Sequence, residues 1–466
     1  MSLTLSETSL NELKSYYIDK LKTLLAIEST YDEGTISDGQ PFGEGIQEAL
    51  QYMLALGEES GFQSKNVDGY AGHIEWGNGE DLIGILGHLD VVPGGEGWTH
   101  PPFEPYVEDG KIFARGAQDD KGPVMAAFLA MKWLHELGFQ PKKRIRLIMG
   151  TDEERDWQCM NYYFKQEEMP SIGFSPDSSF PVTHAEKGLV DIEVTNSIES
   201  EEGHALQLVT FHAGERLNMV PYRANATLTG ESLHNVQENF LDYIEASDFN
   251  GTAQLEDERL HLTLTGESAH AQEPNDGRSA WLGMVEFLCL LPLAPSLKES
   301  LTAQHRLFKD TRGEALEIRS EDEMSGPLTV NVGYGTYENN SLNLGVNIRY
   351  PVTDTLERWE PTFREQLQSL GYDVHIREHL APIYFEKDHP LVQQLLDIYN
   401  KHTGEDAVPE SIGGATYARA LDQGVAYGAM FPHHKSTAHQ VDEHVSIDDM
   451  MKAAFIYAEA IYTLAN

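Results

Sequence analysis

Two apolar runs in this chain lead into residue types that can bind metals. Ile83-Gly84-Ile85-Leu86-Gly87 leads into His88 and, two positions on, Asp90. Ile145-Arg146-Leu147-Ile148-Met149-Gly150 leads into Glu153 and Glu154. Asp119 and Asp120 follow a loop and directly precede a helical pattern. Asp177 lies in Ser175-Pro176-Asp177-Ser178, and His439 lies near the C-terminus with His433, His434 and His444 as competitors. Imidazole nitrogens and carboxylate oxygens suit zinc, or less tightly manganese or cobalt. The set is large enough for two cations sharing one carboxylate, with another carboxylate left to act as a base.

In an extended segment, residues two apart face the same side. His88 can therefore bind a metal through one ring nitrogen while Asp90 holds the other N–H and fixes the tautomer. A bridging carboxylate in Asp119-Asp120-Lys121-Gly122 would sit near the N–H groups of a helix start, which orient and stabilise an anion. Glu153 and Glu154 point different ways, so one can ligate while the other faces a water. Each feature alone has a plainer reading: a buried histidine, acidic decoration of a helix start, a solvated acidic turn, a turn aspartate. Their joint order is what singles them out.

The elements that must position these groups come next. An amphipathic helix is predicted over residues 8–27, with Leu10, Leu13, Tyr17, Leu21, Leu24 and Leu25 on one side, and another over 44–59. The helix after Asp120 has Pro123 in its first turn and Gly138 beyond its end. Apolar strands alternating with helices predict an α/β layer with a mostly parallel, mixed sheet. Ligands gather at the carboxyl ends of such strands, where His88 and Glu153 stand. Between about 188 and 382 the texture changes to alternating strands with helices between them, an inserted α+β domain. The domains expected are thus 1–187 with 383–466, and 188–382. Helices are again expected from Leu391 and after Ser446.

Composition sets the frame. The 466 residues carry 75 acids and 33 bases, a formal net charge of −42. That balance argues against nucleic acid and against an anionic membrane surface. Only Cys159 and Cys289 are present, too few for a disulfide framework. No run approaches the roughly 18 apolar residues of a membrane helix, and the start lacks signal-peptide character. A cytoplasmic protein is expected.

The segments Gly87-His88-Leu89-Asp90, Gly116 to Gly122, Asp152-Glu153-Glu154, Pro176-Asp177 and Ala438-His439, taken in order, resemble the aminoacylase and carboxypeptidase family of cocatalytic zinc peptidases, family M20. The resemblance covers essentially the whole chain. The large insert and Gly413-Gly414-Ala415-Thr416-Tyr417-Ala418-Arg419 look most like its bacterial dipeptidase branch, the peptidase V type. The resemblance implies two zinc ions bridged by Asp119, one completed by His88 and Asp177, the other by Glu154 and His439. It implies that Asp90 orients His88, that Glu153 is the general base, and that the Asp119–Asp120 peptide is cis. It implies that the insert is a lid domain. Ser268-Ala269-His270-Ala271 matches the lid histidine segment, so His270 would polarise the scissile carbonyl. Asn218 and Arg349 would contact substrate, Arg349 by holding a free carboxylate.

Three places depart from the pattern: Arg155-Asp156 after the glutamates, His433-His434-Lys435-Ser436 where a glycine-containing loop is commoner, and Ala415 in place of a third glycine. The expected activity is hydrolysis of unblocked dipeptides by a monomer. An N-acyl amino acid deacylase of the same family is the alternative enzyme, and a non-catalytic metal or peptide binder the alternative of another class. The large insert favours the dipeptidase.

Overall fold

The run Leu82–His88 is a strand buried along its whole length, as a strand covered on both faces must be. A computed structural model describes residues 5–199 and 203–466 and sets this strand at the middle of a mixed sheet. The order across the sheet is Gln63–Val67, Ala71–Trp76, Arg144–Gly150, Leu82–His88, Ile172–Ser175, Gly424–Ala426 and Thr183–Glu186. The four strands from Arg144–Gly150 to Gly424–Ala426 run parallel. Antiparallel pairs flank them. The registers bring His88 opposite Gly150, so both site-bearing strands end at one level.

Helix Lys121–Glu136 packs against this sheet and is buried on nearly every side, from Val124 to Leu134. A helix apolar all round belongs in an interior. Pro123 lies in its first turn, and Gly138, at φ +78°, follows its end. The C-terminal helix Ile447–Ala465 lies beside it and starts at Ser446, whose hydroxyl accepts from the Asp449 N–H at 3.3 Å.

The first predicted helix is in fact two, Glu7–Asn11 and Lys14–Leu25. The Leu13 N–H bonds the Leu10 carbonyl at 2.9 Å, a tight three-residue turn that interrupts the helix. Leu10, Tyr17, Leu21, Leu24 and Leu25 are nevertheless all buried.

The chain divides into two compact units. One holds the described residues up to His184 with Phe385–Glu410 and Thr416–Asn466; the other holds Ala185–Tyr384 with Ser411–Ala415. The second unit is built on a wholly antiparallel sheet ordered Asn250–Glu256, Arg259–Thr265, Arg223–Gly230, Leu206–Ala213, Thr329–Glu338, Ser341–Tyr350, Gly188–Ser197 and Asp373–Leu380. Its strands alternate in burial, as in Arg259–Thr265, because one face is packed and one is wet. Helices Leu233–Glu245, Ala280–Leu290, Pro295–Phe308 and Leu356–Gln368 contribute Phe240, Trp281, Phe287, Leu301 and Trp359 to its core. The run Ser411–Ala415 groups with this unit because the Lys187 N–H bonds the Ile412 carbonyl at 3.1 Å and Arg349 Nη1 bonds the Gly413 carbonyl at 2.6 Å. Among the described residues, no helix is long and apolar enough to cross a membrane.

Candidate active site

Three strand ends and one C-terminal loop of the first unit converge on Asp119. One of its carboxylate oxygens lies 3.0 Å from His88 Nε2, the other 3.1 Å from His439 Nε2. Glu154 Oε1 is 3.0 Å from the same His439 nitrogen. Glu153 Oε2 and Asp177 Oδ2 each lie 3.9 Å from His88 Nε2. The donors therefore fall into two groups, His88 with Glu153 and Asp177, and Asp119 with Glu154 and His439, each compact enough to hold a metal ion. By distance alone, Glu153 is as close to His88 as Asp177 is.

Local structure explains the convergence. His88 is fully buried at the end of its strand. Its Nδ1 lies 3.0 Å from the main-chain carbonyl of Asp90 and 3.6 Å from the Asp90 carboxylate. The second Asp90 oxygen accepts the Glu154 N–H at 2.9 Å, tying the two strand ends together. The Asp119–Asp120 peptide is cis. Asp120 turns inward, and its Oδ2 accepts the His88 N–H at 3.2 Å. A β-carbon on Gly87 would lie 2.5 Å from that oxygen and 2.4 Å from Val124 Cγ2, so only glycine leaves room. Asp177 follows Ser175, whose hydroxyl donates to the Leu86 carbonyl at 2.6 Å. His439 is partly exposed and has φ +61°, a backbone region few non-glycine residues occupy.

Several residues that hold the site were not singled out in the sequence. Glu443 is fully buried. Its Oε1 accepts the N–H groups of Gln118 at 2.8 Å and Asp119 at 3.1 Å, and its Oε2 accepts from Arg115 Nη1 at 2.6 Å. The Gln118 side chain bonds Ser436 and Thr437, fixing the loop that leads to His439. Lys121 is buried and donates to the carbonyls of Leu24 and Ile27; burial pulls its ammonium down to about 7. The Tyr417 ring meets His88 edge-on, its hydroxyl 3.1 Å from Cys159 Sγ. Of the competing histidines, His444 contacts Lys111 and the Asp442 carbonyl, while His433 and His434 face Asp449.

The electrostatics test whether cations suit this set. Burial pushes the Glu153 carboxyl up to about 8, with Glu154, Asp119 and Asp90 adding to the rise against His88. Burial also raises Asp177 well above the carboxylate range. Burial alone would raise Asp119, but hydrogen bonds from His439 and His88 reverse that and hold it far below its ordinary value. Burial pulls His439 down, yet Asp119 and Glu154 carry it up to about 10. Five carboxylates and two imidazoles in one place are poorly neutralised by each other, and divalent cations bound there would resolve the conflict. The donors fit metal.

The residues named for the second unit lie near one another in the chain's folding there. Met219 pairs with His270 in an antiparallel bridge, and the Ala271 N–H bonds the Asn218 carbonyl at 2.9 Å. The Asn331 side chain donates to the carbonyls of Leu217 and Met219, holding the Asn218 turn. Arg349 is buried; it bonds Asn347 Oδ1 at 3.0 Å and sits opposite Thr329, whose hydroxyl reaches the Ala271 carbonyl at 3.4 Å.

A mixed sheet with carboxylates and imidazoles grouped at the ends of its parallel strands makes a candidate metal centre. The family model described as "Peptidase family M20/M25/M40" matches residues 84–463. This chain is 44% identical over 457 residues to "Putative dipeptidase YtjP" of Bacillus subtilis (strain 168), covering 97% of this chain and 98% of that one. It is 40% identical over 452 residues to "Putative dipeptidase SAR1836" of Staphylococcus aureus (strain MRSA252), covering 96% of each. Among solved structures, human carnosine dipeptidase 1 superposes with a TM-score of 0.60 at 14% identity, covering 98% of each chain. The dipeptidase Dug1p of Saccharomyces cerevisiae does so at 0.58 and 12%, covering 98% and 96%. The chain belongs to peptidase family M20/M25/M40 and is a hydrolase. The resemblance and the α/β fold expected from sequence are both borne out.

Proposed function

We propose that this protein is a dipeptidase that hydrolyses unblocked dipeptides at a two-zinc centre, with Glu153 as general base. One observation carries the reading: Asp119 offers a separate oxygen to each of two imidazoles, and each imidazole has its own further carboxylate. His88, Asp177 and Asp119 would hold one ion, and Glu154, His439 and Asp119 the other. Bound there, the ions would make water easier to deprotonate and draw electrons from the scissile carbonyl. The naming of the 40–44% identical relatives as dipeptidases supports the substrate class.

The chain's own groups do the rest. Glu153 takes the proton of the attacking water and passes it to the leaving amine. It is assigned this role rather than a ligand's because Asp119 and Asp177 already complete His88. Asp90 keeps His88 in place through its main-chain carbonyl and through the Glu154 N–H. His270 of the second unit, acting as lid, donates to the developing oxyanion. Arg349 would hold the substrate's free carboxylate, which would restrict the site to short peptides, and Asn218 would make a further substrate contact.

The test is a panel of dipeptides beside N-acetyl amino acids, before and after chelation and zinc restoration. Cleavage of free dipeptides, lost on chelation and regained with zinc, is expected. Cleavage of only the N-acetyl compounds would replace the reading with a deacylase. Full zinc content without hydrolysis of either would leave a binder.

A further inference from the structure

The segment His433-His434 departs from the family pattern and takes no part in the proposed reaction. Its two imidazoles meet the Asp449 carboxylate. His433 Nε2 lies 3.6 Å from Asp449 Oδ2, and His434 Nε2 contacts the same oxygen. One donor atom from each of the three residues falls within 4.8 Å of the others. That oxygen is buried and has no hydrogen bond of acceptable geometry. Two nitrogens therefore converge on one carboxylate oxygen that neither satisfies as a hydrogen-bond acceptor.

From this geometry we propose a third metal site, His433–His434–Asp449, selective for zinc, nickel or copper and separate from the pair at Asp119. The donor types favour borderline transition ions over calcium or magnesium, which want oxygen. The donors are held from both sides. Asp449 lies in the first turn of the C-terminal helix, with its N–H capped by Ser446. The histidine segment is pinned by the His434 N–H to the Phe431 carbonyl at 3.0 Å and by Gln118 to Ser436 and Thr437. Lys452, the nearby cation, lies over the Phe431 ring at 5.8 Å. His433 is 59% exposed, so water can complete the coordination sphere and the ion can exchange with solvent. With three donors and more exposure than the inner groups, this site fills last. Its ion ties the loop carrying His439 to the C-terminal helix.

The test uses the full, untagged chain dialysed against graded free Zn²⁺, with bound zinc counted per chain. Wild type is expected to take up one equivalent more than His433→Gln/His434→Gln, at the high-concentration end of the curve. The lower part of the two curves should coincide, which also shows that the variant folds. Superimposable curves throughout would overturn the site, whatever the inner stoichiometry proves to be. If the double variant does not fold, Cu²⁺ added to zinc-loaded wild type gives a second reading. A paramagnetic spectrum with coupling to two nitrogens, weakened in Asp449→Asn, supports the site; a spectrum of free or single-nitrogen copper overturns it.

Discussion

Glu443→Gln is the sharpest test of how the site is held. The substitution keeps size and shape and removes one charge. In the wild type, one carboxylate oxygen receives two main-chain N–H groups, from Gln118 and Asp119, and the other receives Arg115. An amide has only one acceptor oxygen. If that oxygen faces the main chain, its NH₂ confronts the Arg115 guanidinium. If it faces Arg115, two buried N–H donors confront another donor. Arg115 and Glu443 are 3% and 0% exposed at the side chain, so water cannot repair either arrangement. Breaking a buried ion pair by removing one partner costs about 3–5 kcal/mol, against ~0–1 kcal/mol for a surface pair. The upper estimate is trimmed because Arg115 keeps its bonds to the Gln440 and Pro93 carbonyls and its place over the Trp98 ring. A loss of about 3 kcal/mol in denaturant unfolding is expected, with weaker zinc retention because Asp119 and His439 both hang on this residue. A cycle with Arg115→Met should show coupling of at least about 1.5 kcal/mol, the scale of a hydrogen bond to a charged group. A Glu443→Gln protein within about 0.5 kcal/mol of wild type, with unchanged zinc, would refute the reasoning.

On the proposed mechanism, Glu153→Ala should lower kcat about 10²- to 10⁴-fold with bound metal retained; equal loss of metal and activity would make Glu153 a ligand instead. Gly87→Ala should cost about 1–3 kcal/mol by forcing Asp120 and Val124 apart, read as a fall in melting temperature; no fall would mean the contact is soft. His73 is buried, accepts from the Tyr163 hydroxyl at 2.8 Å, and is pushed down to about 3 by burial, with Arg146 and Lys65 adding to it. Its unfolded form protonates near 6.5, so the unfolded chain binds the extra proton between about pH 6.5 and 3. Stability is thus full above about 6.5 and falls as pH drops, by up to about 4–5 kcal/mol from this group. His73→Asn should flatten the stability profile between pH 4 and 6 relative to wild type, and parallel profiles would exclude His73 as the cause.

Two of the parallel strands were legible because each is an apolar run that leads into ionisable residues. Leu82–His88 and Arg144–Gly150 show the pattern directly, and the helix from Lys121 is marked by Pro123 and Gly138. The second unit's strand-rich texture was legible by alternation such as that of Arg259–Thr265, whereas Arg223–Gly230, Asn250–Glu256 and Asp373–Leu380 were not distinguished from loop. Leu291-Pro292-Leu293-Ala294-Pro295 reads as a loop in sequence, although Pro295 opens helix Pro295–Phe308, where a proline is favoured. The break at Leu13 was hidden because the side-chain pattern continues on the same face through it.

What the sequence hid in the site has a common physical origin. Glu443 acts on the main chain of Asp119 across 324 residues, through N–H groups that every residue type shares. Nothing in Asp442-Glu443-His444 distinguishes it from a solvated acidic turn until the fold buries it. Gly150 is similar: a β-carbon there would lie 1.8 Å from the Tyr417 hydroxyl, a requirement visible only once Tyr417 is brought against the strand. Side chains that touch a ligand are constrained by their chemistry, so type and order betray them. Side chains that place those groups are constrained by what they neighbour, and their identity follows from burial rather than from reactivity. The Asp119 carboxylate therefore depends on two kinds of information, its own two oxygens and a glutamate that supplies no chemistry to the substrate, and damage to either should dismantle the same centre.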